Sequence, residues 1–180
     1  MYKDCPLWEI VQLHDCIRGE LRTLQSRVTR LRAATGEVLR SDGRYAYSVA
    51  SEVQIRSQVQ MLYAVFQAHS TAEDEIIWPA LKAKQQQEQQ MIASAAAAAA
   101  AAAPGGFSIE VGDGDESRVV REQEYVEDHE DEERLFQEIE ALLAKLHHTA
   151  PNDVPQKLAL LESLDELTAS VVEHFTTHLA

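Results

Sequence analysis

The stretch Ile55–Glu73 reads IRSQVQMLYAVFQAHSTAE, and its spacing decides the fold. Ile55, Val59, Leu62, Phe66, His69 and Glu73 recur at alternating four- and three-residue intervals, the period of one helical face. The first four are residues that a helix buries. The last two are polar, yet they occupy the same face. The stripe is expected to run on through Ile76 to Ala80. Pro79 should bend the helix just beyond the polar pair, because it removes a backbone donor.

Three further segments carry the same pattern. Leu7, Ile10, His14, Ile17, Leu21, Leu24, Val28 and Leu31 form the first stripe, with Pro6 in the opening turn and Gly36 marking the end. Tyr125, His129, Glu132 or Glu133, Phe136, Ile139, Leu143 and Leu146 form the third. The fourth opens near Pro155 and runs Leu158, Leu161, Leu164, Thr168, Val171, Phe175 and His178. Four amphipathic helices of about 25 residues predict an all-α chain folded as an up-down-up-down four-helix bundle. The loop Thr35–Ala46, with Ser41-Asp42-Gly43, joins the first two.

Composition agrees. Apolar residues make up 45% of the 180-residue chain, but aromatics only 6%, which favours long helices over a sheet-rich fold. One domain is expected over residues 1–180, with a low-complexity insert at about 85–118 between helices two and three. The insert is Gln-rich from Gln85 to Gln90, nearly pure Ala from Ala93 to Ala103, and ends at Pro104-Gly105-Gly106. Alanine is the best helix former, so helix two can continue into it as an exposed spur. A flexible loop is expected from Gly105 to Gly114.

A net charge of −14 argues against nucleic acid as a partner, since phosphate binding needs clustered Lys and Arg. There is neither a signal-peptide pattern after Met1 nor a natural apolar run long enough for a bilayer, so no membrane partner and an intracellular site, cytoplasmic or nuclear, are expected. Cys5 and Cys16 lie eleven residues apart on one expected helix, about 16 Å at a rise of about 1.5 Å per residue. They read as reduced thiols, and no CxxC pair offers a zinc ribbon.

The chemistry lies where the stripes turn polar. His14 stands between Ile10 and Ile17. His69 is followed one turn on by Glu73, His129 by Glu133, and His178 follows Phe175. Residues four apart share a helical face, so each His-x-x-x-Glu pair points one way. A buried carboxylate costs several kcal/mol unless it is paired or metal-bound. A pair of metal ions answers all these groups at once, neutralising the carboxylates and taking the imidazole nitrogens. The candidate metal residues are therefore His14, His69, Glu73, His129, Glu133 and His178. Imidazole and carboxylate without thiolate suit iron, manganese or zinc, and a dinuclear site in a four-helix bundle favours iron, with a single mononuclear ion as the alternative. Ferritin-like centres use Glu-x-x-His, in the opposite order.

Other polar residues read more plainly. Ten acids fall between Glu122 and Glu140, most of them on a solvated face. Glu133, with Glu132 as the alternative, is expected to turn inward. His147 and His148 suit the end of helix three, where imidazolium complements the helix dipole. His174 is read as a rim residue, with a second-ligand role as the alternative. Trp8 and Trp78 are read as packing.

At these positions the sequence resembles the hemerythrin-like, HHE cation-binding family. The resemblance rests on HSTAEDEIIWPAL from His69 to Leu81 and on YVEDHEDEE from Tyr125 to Glu133, followed by Phe136. It is nearest the hemerythrin repeats of plant and algal BRUTUS-type iron-responsive ubiquitin ligases. It implies His14, His69, His129 and His178 as terminal iron ligands and Glu73 and Glu133 as carboxylates able to bridge two irons. The family's last helix carries His-x-x-x-Glu, so the partner of His178 is expected beyond Ala180, on a helix that this chain truncates.

The resulting expectation is a non-haem, di-iron-binding module, the iron- and oxygen-sensing part of a larger ubiquitin-ligase-type protein in iron homeostasis. Protein partners are expected through that larger protein. No enzymatic activity is expected of the chain itself, because the cysteine-rich zinc modules of such ligases are missing from it. The alternative is reversible oxygen binding and storage, or di-iron redox chemistry. Glu133 weakens the carrier reading, because the resemblance gives carriers two histidines on helix three.

Overall fold

A computed structural model describes residues 8–41, 46–102 and 116–178, with side chains for 10–41, 46–99 and 129–177. Regular structure among these residues is entirely helical: α1 Trp8–Arg40, α2 Val49–Ala72, a π-helical turn Glu73–Ile77, α3 Trp78–Ala102, α4 Glu116–His148 and α5 Val154–His178. No helix among them is long and apolar enough to cross a membrane.

Local chemistry sets several helix ends. Ser48 precedes α2, and its hydroxyl accepts the Ser51 N–H at 3.3 Å, satisfying a donor that the first turn leaves orphaned. Asp153 does the same for α5 through the Gln156 N–H, also at 3.3 Å. After α4 the chain meets Ala150-Pro151, where the residue before proline is driven out of the helical region. Gly36 does not end the first helix as expected. It lies buried inside α1, which runs on to Arg40, and a Cβ there would meet only the Arg40 guanidinium at 3.6 and 3.8 Å. One glycine lowers helix propensity by only about 1 kcal/mol, and the burial of Leu31 and Thr35 around it is enough to carry the helix through.

Packing divides the chain into two compact units, Met1–Gln67 with Glu130–Ala180, and Ala68–His129. The first holds the hydrophobic core. Ile17, Leu21, Leu24, Val28 and Leu31 of α1 meet Ile55, Val59, Leu62 and Phe66 of α2, Phe136, Ile139, Leu143 and Leu146 of α4, and Leu161, Leu164, Val171 and Phe175 of α5. These are most of the apolar members of the four sequence stripes, Ile10 and Leu158 being only half-buried, and together they make a helical bundle. Phe136, fully buried, stacks on Phe66 with ring centroids 5.4 Å apart and meets Phe175 edge-on at 6.1 Å. Outside this core, α1 is tied to α5 by Thr29 Oγ1 donating to Asp165 Oδ1 at 2.6 Å and by Arg32 Nε 3.1 Å from Asp165 Oδ2.

In the second unit, the expected stripe breaks after Glu73. The Trp78 N–H bonds to the Glu73 carbonyl five residues back, the mark of a π turn. The extra residue in that turn shifts the helical phase, so Ile76 is 66% exposed and Ala80 is exposed too. Pro79 follows at once, and its missing N–H is tolerated where the regular ladder is already interrupted. Helix α3 carries the Gln-rich and alanine segments to Ala102, with Met91 and Ile92 exposed, as a helix without an apolar face should be. The loop expected at Gly105–Gly114 lies outside the described residues, as do Pro6, Leu7, Cys5, Asp42 and Gly43. Helix α4 begins at Glu116, at the end of the insert expected over about 85–118. Cys16 is a free, exposed thiol.

Candidate metal centre

Four polar side chains converge within the unit Ala68–His129. Glu73, 4% exposed, stands between two imidazoles: His69 Nε2 lies 3.5 Å from its Oε1, and His129 Nε2 lies 3.3 Å from its Oε2. On its far side His129 Nδ1 is 3.1 and 3.2 Å from the two oxygens of Asp74. An ionised carboxylate can only accept, so Nδ1 carries the hydrogen and donates it to Asp74. The other ring nitrogen, Nε2, faces Glu73. The carboxylate–imidazole–cation relay is the arrangement by which proteins fix a ligating histidine's tautomer and orientation.

The distances bear on what fits between these groups. Charge-assisted N–H···O bonds are about 2.7–2.9 Å long. Two donors each about 2.1 Å from one cation, at angles between about 90° and 115°, lie about 3.0–3.5 Å apart. Both His–Glu73 separations fall in the second range. The donor set of imidazole and carboxylate without thiolate suits borderline and hard cations such as iron, manganese or zinc. His14, half-buried, belongs to the other unit, Met1–Gln67 with Glu130–Ala180.

The remaining sequence candidates lie differently. Glu132, rather than the expected Glu133, is the inward carboxylate of α4. It is 1% exposed, and its Oε1 is 3.6 Å from His174 Nε2. The reason is helical phase. At about 100° per residue Glu132 lies in the middle of the face set by Phe136, Ile139, Leu143 and Leu146, whereas Glu133, one residue on, points to its edge. Glu133 Oε1 instead accepts from the Tyr63 hydroxyl at 3.1 Å and from Gln137 Nε2 at 3.3 Å. Burial, with help from the Glu133 and Glu140 carboxylates, pushes the Tyr63 phenol above its ordinary value and keeps it a donor, against the opposing bond from Gln137. His174, read as a rim residue, is half-buried and turned to Glu132. His178 ends α5, and its side chain lies outside the described residues.

Asp74 is the site residue that sequence reasoning passed over. Its signal was faint, since it sits beside Glu73 and off the stripe. The π turn starting at Glu73 is what brings both acids to bear on His129.

A second polar group was also unforeseen. Lys157, 2% exposed, donates to Glu52 Oε2 at 3.1 Å and to the Leu146 carbonyl at 2.8 Å, and lies 4.2 Å above the Tyr47 ring. Tyr47 donates to Glu52 Oε2 at 2.7 Å, and His147 Nδ1 is 3.3 Å from Glu52 Oε1. So His147 faces a carboxylate as well as a helix end. Burial alone would raise the Glu52 pKa, but bonds from Tyr47, Lys157 and His147 hold it below the usual carboxylate value. Burial, and then Glu52 itself, pushes the Tyr47 phenol far above its ordinary range.

No family model, curated protein or solved structure matches this chain.

Proposed function

We propose that the chain is a hemerythrin-like, non-haem iron-binding module, an up-down-up-down four-helix bundle that binds a di-iron centre and serves as the iron- and oxygen-sensing part of a larger, ubiquitin-ligase-type protein. The observation that carries the proposal is Glu73, buried with each of its oxygens turned to a different imidazole nitrogen. That is the placement a carboxylate needs in order to bridge two cations. His69 and His129 would be terminal ligands, and the family resemblance adds His14 and His178. When bound, the metal supplies the positive charge and Lewis acidity that a buried carboxylate and neutral imidazoles require. Asp74 holds His129 in the ligating tautomer.

The module works by binding rather than catalysis. Burying the Glu73 carboxylate among imidazoles is opposed by desolvation, and a bound cation would offset that cost. Without the cation the bundle is less stable, and metal binding, which favours the folded state, closes it. The closed and loosened forms offer different surfaces to a partner. Melting and limited proteolysis with ferrous iron, against a chelator, test this. Iron should raise the melting temperature and slow cleavage, and identical curves in both conditions would refute it.

A further inference from the structure

The last turns of α1 and the first turns of α2 enclose a half-open groove of about 360 Å³ that shares no residue with the metal centre. Arg27 and Arg30 line it with Ser48, Ser51 and Gln54, over an apolar floor of Leu31, Ala34 and Ile55. Both arginines are held by neutral acceptors. Arg27 Nη1 donates to Gln58 Oε1 at 2.8 Å, and Gln58 is itself anchored through Nε2 to Glu20 Oε2 at 2.9 Å. Arg30 Nε donates to the Ser26 carbonyl at 3.2 Å. Among the described residues neither guanidinium has a carboxylate within ion-pairing distance, whereas Arg18, Arg32 and Arg134 each pair with an aspartate. On a chain of net charge −14, two adjacent arginines without a carboxylate partner among the described residues make a locally basic patch.

Nearby acid does not cancel it. Glu52, the acid of the first turn of α2, is turned away from the groove and bonded to Lys157, Tyr47 and His147. Each guanidinium has five N–H donors, and only one from each is engaged by these protein bonds, so a fork of donors remains on either side of the groove. The Ser48 and Ser51 hydroxyls, 2.8 Å apart, add a further donor.

The geometry points to a binding site for a small phosphate monoester, with the phosphate between Arg27 and Arg30 and an apolar body on Leu31, Ala34 and Ile55. Phosphate fits better than a single carboxylate because its charge approaches two and its oxygens can engage both forks together. The apolar floor distinguishes an organic phosphate from the free ion, which would leave it uncovered.

Amide NMR of the full chain, titrated separately with inorganic phosphate and phenyl phosphate, tests the assignment. Phenyl phosphate should give saturable shifts confined to residues around Arg27–Ala34 and Ser48–Ile55, at least tenfold tighter than inorganic phosphate. The R27Q/R30Q variant should lose the response, and R56Q, which alters an arginine outside the groove, should keep it. Arg30 is exposed, so R30Q alone should fold normally and weaken binding severalfold. Equal response to both probes would leave a free-phosphate site and overturn the organic-ligand part. Absence of saturation in the parent chain, or unchanged binding in R27Q/R30Q, would overturn the site.

Discussion

Replacing Lys157 with methionine removes one charge from a group that excludes water almost completely. Lys157 and Glu52 are 2% and 3% exposed, and the ammonium supplies both a bond to Glu52 and the 2.8 Å bond to the Leu146 carbonyl. Removing one partner of a buried pair strands the other and typically costs about 3–5 kcal/mol. Glu52 would keep Tyr47 at 2.7 Å and His147 at 3.3 Å, so the loss should fall near the lower end. For a chain of this size about 3 kcal/mol corresponds to a fall in Tm of about 6–12 °C. The pH dependence follows from the lowered Glu52 pKa. Its contribution is present above the unfolded carboxylate value and is lost as pH falls through the lower folded value. Without Lys157 that depression shrinks, so acid unfolding of K157M should begin at higher pH. Urea unfolding followed by helical circular dichroism across a pH series reads both effects. E52Q/K157M should recover most of the loss, because it abandons no charge. A K157M loss under about 1 kcal/mol, or a double variant no better than the single, would refute the reasoning.

Three further outcomes are expected. D74N should weaken metal binding about 10–100-fold with helix content unchanged, since it removes the acceptor that orients His129; a competition titration against a chromophoric chelator measures it, and unchanged affinity would exclude an orienting role. F136A should lose about 3–5 kcal/mol, because it empties a fully buried position against Phe66 and Phe175, as chemical denaturation would show. G36A should gain up to about 1 kcal/mol, since the added methyl meets only the Arg40 guanidinium at ordinary contact distance inside a helix. A destabilised G36A would show that the close packing around Thr35 and Gly36 leaves no room.

Most of the helical architecture was legible because four stripes repeat one period, and Ile17 to Leu31, Ile55 to Phe66, Phe136 to Leu146 and Leu161 to Phe175 are the residues that fill the core. The same periodicity contained the choice of Glu132 over Glu133, since only the former lies mid-face with Ile139, Leu143 and Leu146 as well as Phe136. What periodicity could not carry were its interruptions. The π turn at Glu73 is an i to i−5 bond with no compositional signature, so both the exposure of Ile76 and the reach of Asp74 to His129 were hidden. Gly36 illustrates the converse, a local stop signal overridden by burial. Lys157 was invisible for a different reason: a lysine is buried only when partners from elsewhere in the chain converge on it, and Tyr47 and Glu52 are both far from it in sequence.

The central claim is that Glu73 sits between His69 and His129 in order to hold metal. Iron content after anaerobic equilibration with ferrous iron and removal of the unbound ion tests it most directly, in the parent chain and in E73Q and H129A. The parent chain should retain iron in stoichiometric amount, and each variant should lose it while keeping its helix content. A parent chain that retains no iron, or an E73Q chain that retains as much as the parent, would contradict it.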